Sequence, residues 1–383
     1  MSLPGSQSSW FDSTEVGAPT LNNAVGSLLE VLRVCLVNGF NSKSVTSIVV
    51  AGGVATATAA THGYTSAYGK LVLIEGSAET LLNGRKQPLS VSTNTFTFAA
   101  PGVADGTYTG TITAKRAPLG WVEAHTGTNK AIFSRSAPEA TAMLLRVNDT
   151  HSAPSTSTIC RLLCLESATD VDTYTGLSPT NVQFADGVPW QKGADNATAK
   201  TWALIGNDRC FYLATQLGTS STFAFYFFGD GVNYYAGDAY FTLITGQSGT
   251  TYSTTPGLGL DNLISYDAAP SGVTSIFASR GQPVSSTGSE ISDIAGPNCN
   301  RPGGNNMQPV SFEHIAISET VHVIGALKQV RGEMPGLAVP FAAAPFTAFQ
   351  LITSASGAVY LAVPYNAGGT PGQWLVRLSG AWH

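Results

Sequence analysis

Residues 10–40, WFDSTEVGAPTLNNAVGSLLEVLRVCLVNGF, constrain the fold of this chain more than any other stretch, because they hold its one clear helical apolar period. Leu21, Val25, Leu28, Leu32 and Cys35 follow one another at spacings of four, three, four and three, the rhythm of a single helical seam. Leu29 and Leu36 broaden that seam into a face. Thr20 stands at an N-cap position just after Pro19, and Gly39 at a left-handed C-cap position, so the spacing predicts a helix over 21–37. The rest of the chain has the pattern of strands and turns. A lone amphipathic helix on such a chain must bury its stripe on a sheet or on copies of itself. Residues 1–20 are polar and turn-rich apart from Trp10 and Phe11, and are expected to form an arm that gains order by lying on another surface.

From Ser44 the period changes to two. The run VTSIVVAGGVATATAA holds two strands joined by Gly52-Gly53, a two-residue hairpin signal. KLVLIEG, NTFTFAA and GTYTGTITAKR add three strands before Ala117-Pro118, enough for one small sandwich or barrel. A second β region begins at Leu119, with MLLRVND, STICRLLCLES, a hairpin turning near Asn207-Asp208, and the aromatic run FAFYFFGD. Residues 247–306 are rich in Ser, Thr, Gly and Pro, and a loop of that length is expected to be an interaction arm or a mobile excursion. The predicted class is therefore mainly β. An arm and helix (1–40) precede a small sandwich or barrel (41–118) and a larger β domain (119–383).

Charged residues make up only 11% of the 383 positions, against about 25% in ordinary soluble proteins. Such a surface suits a β-rich protein whose faces are covered by other subunits, since few charges then need desolvating; it equally suits a Thr/Ser-surfaced extracellular or viral protein. A net charge of −5 without a long basic run argues against nucleic-acid binding. No apolar run approaches the roughly 20 residues of a membrane-spanning helix, so no membrane insertion is expected. MSLPGSQSSW lacks the basic start and apolar core of a signal peptide, and synthesis in a cytoplasm is expected. The five cysteines fit no zinc spacing, and Cys160 and Cys164 would lie about 13 Å apart on one strand face. All five are expected to be reduced, buried apolar residues, and no metal or other cofactor is expected.

Candidates for chemistry are few. None of His62, His125, His151, His314, His322 and His383 falls at a spacing that pairs two on one helix face, and no nucleophile elbow or phosphate-binding loop occurs. Asp170 with Asp172, and Asp230 with Asp238, have the residue types of a carboxylate pair or a calcium site, with Tyr234, Tyr235 and Tyr240 near enough to stack on a sugar. Asp beside Gly is also what a turn demands, and alternating aromatics are what a buried strand demands. The bland explanation is the stronger in each case, and no enzyme is expected. In RGEMPGLAVP, Gly332, Pro335 and Gly336 set a bend, while Arg331 and Glu333 are placed either to stabilise a plain turn or to pair across a subunit boundary.

Several motifs carry a resemblance to a known family. Phe11-Asp12-Ser13-Thr14, Gly17-Ala18-Pro19, Leu21-Asn22-Asn23, Cys35-Leu36-Val37 and Gly39-Phe40 resemble the opening of a family of virion structural proteins of tailed bacteriophages and prophages. NKAIFSRS, LLRVND, LESATDVDTYTG, WALIGNDRCFYL, FGD, AGDAY and RGEMPGLAVP follow in the family's order, so the resemblance spans most of the chain outside 247–306. It implies a non-enzymatic virion component, most simply of the tail tip or baseplate, made in a bacterial host's cytoplasm and carried in the virion. Its implied partners are other virion proteins and copies of itself, in rings of three or six. A head decoration or neck protein, or a receptor-binding module for a host surface glycan, are the alternatives. The resemblance carries over no catalytic residue. The expected assembly residues are Leu21, Val25, Leu28 and Leu32 of the seam, Trp10 and Phe11 of the arm, and Arg331 and Glu333.

Overall fold

The strand Phe223–Asp230 is buried along its whole length, which a strand with one solvated face cannot be. In the computed structural model of this chain it sits in the middle of a seven-stranded antiparallel sheet. The strands run in the order Ser9–Asp12, Trp202–Gly206, Cys210–Gln216, Phe223–Asp230, Thr242–Gln247, Thr274–Ala278 and Glu290–Ile291. Ala224, Tyr226 and Phe228 enter one core, and Phe225 and Phe227 enter another on the opposite face. The structure describes residues 7–151, 159–182, 184–193, 196–216, 223–235, 237–247, 274–280, 290–291, 293–295, 317–318, 322–324, 330–340, 345–367 and 370–383.

A five-stranded sheet covers the first face. Its order is Val122–Gly127, Lys130–Ser134, Leu144–Asn148, Ile159–Leu165 and Val188–Gln191. Phe133, Leu145, Cys160, Leu162, Cys164 and Trp190 enter the shared core from this side, and Trp190 stacks on Tyr226 with ring centroids 4.8 Å apart. The second face packs on a C-terminal sheet that includes Leu337–Pro340, Thr370–Arg377, Val359–Ala367 and Leu351–Thr353. Leu361, Val363, Trp374 and Val376 fill that interface. Among the described residues the core of the larger β region is thus a stack of three sheets, whose middle layer has no solvated face and so holds few charges.

Residues 40–116 form two further sheets with a core of their own. One runs Phe40–Val45, Ile112–Arg116, Val72–Glu75, Gly84–Lys86; the other runs Ser90–Val91, Thr95–Ala99, Val54–Thr58, Ser47–Ala51, Gly106–Tyr108. Ile48, Val50, Phe96 and Phe98 face Val72, Ile74, Ile112 and Ala114 across the gap. The Gly52-Gly53 hairpin forms as expected, with Ala51 opposite Val54 and both glycines at positive φ (58° and 77°).

The N-terminal stretch differs from its sequence expectation in two ways. The α-helix begins at Ser27, six residues after the expected start at Leu21, and spans Ser27–Arg33 before passing into a π-helical turn, Val34–Asn38. Leu21 is instead tied down in a bridge to Lys200, whose backbone N–H donates to the Leu21 carbonyl at 2.8 Å. The Asn22 side chain accepts from the Ala24 N–H at 2.8 Å, a local bond that competes with helix formation. Gly39 ends the helix as expected. Its φ is 70°, its N–H donates to the Val34 carbonyl at 2.8 Å, and a Cβ there would lie 2.3 Å from the Arg116 carbonyl oxygen.

The second difference concerns the arm. Ser9–Asp12 is the edge strand of the seven-stranded sheet, with Trp10 opposite Ile205 and Phe11 opposite Leu204. The surface that orders it belongs to its own chain. The excursion at 247–306 is likewise not a plain loop, because Thr274–Ala278 and Glu290–Ile291 extend the central sheet and Asp293–Ala295 pairs with His322–Ile324. The rest of that stretch lies outside the described residues.

Candidate functional site

The structure uses the expected assembly residues internally. Leu21, Leu28, Leu32 and Phe11 are fully buried and Trp10 nearly so, all packed with the chain's own sheets, while Val25 is half-buried. The seam therefore is not a free docking face; the main core already fills it. Arg331 is also buried. Its Nε and Nη2 donate to the two oxygens of Asp238 at 2.8 and 3.0 Å, and its Nη1 donates to the Arg280 carbonyl at 2.5 Å. That fork is closed within the chain, so the Arg331 guanidinium is engaged by this chain's own residues. Glu333 accepts a hydrogen bond from the Tyr234 hydroxyl.

What the charged residues build instead is a set of buried ion pairs between distant segments. The first caps the helix. Asp149, at the end of Leu144–Asn148 and its LLRVND motif, places Oδ2 2.9 Å from the Leu28 N–H and 3.2 Å from the Leu29 N–H. The helix has no side-chain cap of its own, so a remote carboxylate supplies one at the positive end of the backbone dipoles. Lys192 donates to Asp149 Oδ1 at 2.7 Å and to the Ala24 carbonyl at 2.8 Å, and both side chains of the pair are fully buried. Burial pushes the Asp149 carboxyl above its ordinary value, against the pull of Lys192 and the two backbone donors.

The second cluster joins the arm to the small sandwich. Lys70 Nζ lies 2.6 Å from Asp12 Oδ2 and 2.6 Å from Glu15 Oε1. Arg116 Nε lies 2.6 Å from the other oxygen of Glu15, and its Nη1 donates to the Leu71 carbonyl at 2.5 Å. The Trp10 ring covers the Lys70 ammonium, 3.4 Å from ring centroid to nitrogen, and the Phe11 ring lies 4.5 Å from the Arg116 guanidinium. Burial pushes the Lys70 ammonium below its usual range, with the nearby Arg116 adding to the fall and Glu15 and Asp12 opposing it. A small cleft lined by Val16, Asn41, Gly63 and Tyr64 reaches this cluster.

The two candidate carboxylate pairs have other partners, and Asp230 and Asp238 are bound by different arginines. Asp230 binds Arg135 at 2.7 Å and accepts from the Thr141 and Thr242 hydroxyls at 2.9 Å each, whereas Asp238 belongs to Arg331. Asp172 pairs with Lys130 and Arg146, and Asp170 accepts from the backbone N–H groups of Asp172 and Thr173, as a turn residue does. Cys35, Cys160, Cys164 and Cys210 are buried free thiols, and burial raises each, Cys164 to about 12. Cys299 lies outside the described residues. Among the described residues no cluster of His, Cys, Asp and Glu is arranged to hold a metal ion, and no helix is long and apolar enough to cross a membrane. Tyr234 and Tyr235 are adjacent and exposed, at 47% and 42%.

The sequence reading missed Lys70, Arg116, Asp149 and Lys192. A signal existed for Lys70 and Asp149, which border the apolar runs LVLI and LLRVN: a charge there in a charge-poor chain points to a buried partner. The partner's identity was not readable, since Glu15 and Arg116 are 101 positions apart. No family model matches the sequence, and no curated protein matches it either.

Proposed function

We propose that this chain is a structural component of a tailed-bacteriophage virion, in the tail tip or baseplate, and acts by assembly with neighbours without catalysing turnover. One observation carries this reading beyond the resemblance of its motifs. The charged residues of those motifs bind one another: Arg135 of NKAIFSRS with Asp230 of FGD, and Arg331 of RGEMPGLAVP with Asp238 of AGDAY. Asp12 and Glu15 of the opening segment bind Lys70 and Arg116, and Asp149 of LLRVND caps the opening helix. Charged residues buried in pairs of this kind hold segments of a scaffold together. Contacts with other virion proteins and with further copies, in rings of three or six, then fall on outer β surfaces and not on the helix seam.

The experiment is a particle reconstruction that locates the chain. Density for it in a ring at the tail tip supports the proposal. Density on the capsid surface at lattice copy number makes it a decoration protein, and absence from the particle ends it. A second reading, a receptor-binding module for a host surface glycan, is favoured by the exposed pair Tyr234 and Tyr235, since adjacent exposed aromatics suit sugar stacking. Glycan-array binding that disappears in Tyr234→Ala and Tyr235→Ala supports that role; an array with no binding rejects it.

A further inference from the structure

We propose that Lys70 and Asp12 become joined by an intramolecular amide bond, with Glu15 as the catalytic residue that moves the proton. The geometry holds every group this condensation needs. The nucleophile, Lys70 Nζ, is 2.6 Å from Asp12 Oδ2 in a site where both side chains are nearly closed to solvent. The other carboxyl oxygen of Asp12, Oδ1, accepts from the Thr14 N–H at 2.8 Å and from the Thr14 hydroxyl. Those donors stand where negative charge develops when nitrogen adds to the carboxyl carbon. Glu15 Oε1 is 2.6 Å from the same nitrogen and also accepts from the Asp12 N–H at 3.1 Å, while Arg116 fixes its second oxygen. The Trp10 indole donates to the Tyr68 carbonyl at 2.9 Å, so the ring that closes the site over Nζ is itself held in place.

The reactive form is one proton transfer away from the resting pair. The cluster holds two basic and two acidic side chains, with Arg116 bound to Glu15 and Lys70 shared between Glu15 and Asp12. With Arg116 holding one oxygen of Glu15, Lys70 and Asp12 form a directly bonded pair that becomes amine and acid by exchanging one proton. Burial alone would raise the Asp12 carboxyl; Lys70 and the Thr14 donors bring it below its ordinary value, so the resting pair is ionic. Burial of Lys70 works the other way and eases the loss of its proton.

In the reaction the Nζ lone pair forms a bond to Asp12 Cγ, and the Cγ–Oδ2 bond breaks with its electron pair going to oxygen. The ammonium nitrogen gives up two protons in all. One passes directly to Oδ2 and one travels through Glu15, so that Oδ2 leaves as water and Glu15 ends as it began. No oxidant or other reactant enters. Fixed geometry replaces the chance encounter that makes amide formation from a free amine and acid negligible in water. The bond would tie the edge strand Ser9–Asp12 to the segment entering Val72–Glu75, the junction between the central sheet and the small sandwich.

The test is the intact mass of the purified full-length protein, followed by peptide mapping under denaturing conditions. The expected mass is lighter than the sequence mass by one water molecule. The Asp12 and Lys70 peptides should be recovered as one branched species. Lys70→Arg and Asp12→Ala should each restore the sequence mass, and Glu15→Gln should leave mainly unjoined chain after the same incubation. A wild-type protein at full sequence mass after prolonged incubation overturns the proposal without recourse to any variant. So does a water loss that maps to a single unbranched peptide, which is imide formation at an aspartate.

Discussion

Replacing Asp149 with alanine should destabilise the protein severely, and the structure sets the size of the effect. The carboxylate neutralises Lys192, whose side chain is fully buried with the Ala24 carbonyl as its other acceptor. Removing one partner of a buried ion pair and stranding the other costs about 3–5 kcal/mol. Loss of the acceptor for the Leu28 and Leu29 N–H groups adds about 1 kcal/mol, the usual worth of an N-cap. The sum, about 5 kcal/mol, is a third or more of the roughly 5–15 kcal/mol that stabilises a typical folded domain. Asp149→Ala combined with Lys192→Met removes the stranded charge and should recover about 3 kcal/mol, leaving the lost cap and a small packing defect. Equilibrium unfolding in urea, followed by the fluorescence of Trp190 and Trp202 in the adjoining core, measures all three proteins. A single variant that loses less than about 1 kcal/mol would refute the reasoning. So would a double variant no more stable than the single one.

Other consequences follow from the layers and the surface pairs. Phe225→Ala, in the central strand and facing the C-terminal sheet, should cost about 3–5 kcal/mol by the same unfolding assay. Gly39→Ala should cost more than about 1 kcal/mol, because alanine resists a φ of 70° and its Cβ would lie 2.3 Å from the Arg116 carbonyl oxygen. The Arg33 hydrogen bond holds the Glu123 carboxyl below its ordinary value against a smaller effect of burial. A depressed carboxyl stabilises the fold above its unfolded-state pKa, and that contribution fades as pH falls through the lowered value in the fold. Glu123→Gln should therefore flatten the acid limb of a stability–pH curve while leaving the difference between pH 7 and pH 8 unchanged.

Local features were legible where one residue type dictates one backbone state. Gly52-Gly53 gave the hairpin and Gly39 the helix stop, since each needs a positive φ that other residues resist. The period-two runs were recognisable as strands because alternation survives wherever one face meets a core. What the local pattern could not supply was pairing between distant segments. Leu21 fits a helical seam by spacing, yet its backbone is claimed by Lys200, 179 positions away, and the Asn22 side chain after it makes a local bond. Trp10 and Phe11 have the pattern of an arm needing a surface, and nothing nearby reveals that Ile205 and Leu204 provide it. FAFYFFGD shows why composition and layering are linked. Eight consecutive buried residues signal a strand covered on both faces, but the sheets that cover it lie at Val188–Gln191 on one side and Thr370–Arg377 on the other.

The central claim is that residues 10–40 are a built-in part of this chain's own fold, and that the contacts holding them do not belong to a neighbour. Amide hydrogen exchange on the isolated full-length protein tests it most directly. Trp10, Phe11, Leu28 and Leu29 should exchange as slowly as Leu204 and Leu213 of the central sheet, whether or not any partner protein is present. Rapid exchange at those four amides in the isolated chain, slowed only in an assembled particle, would contradict the account.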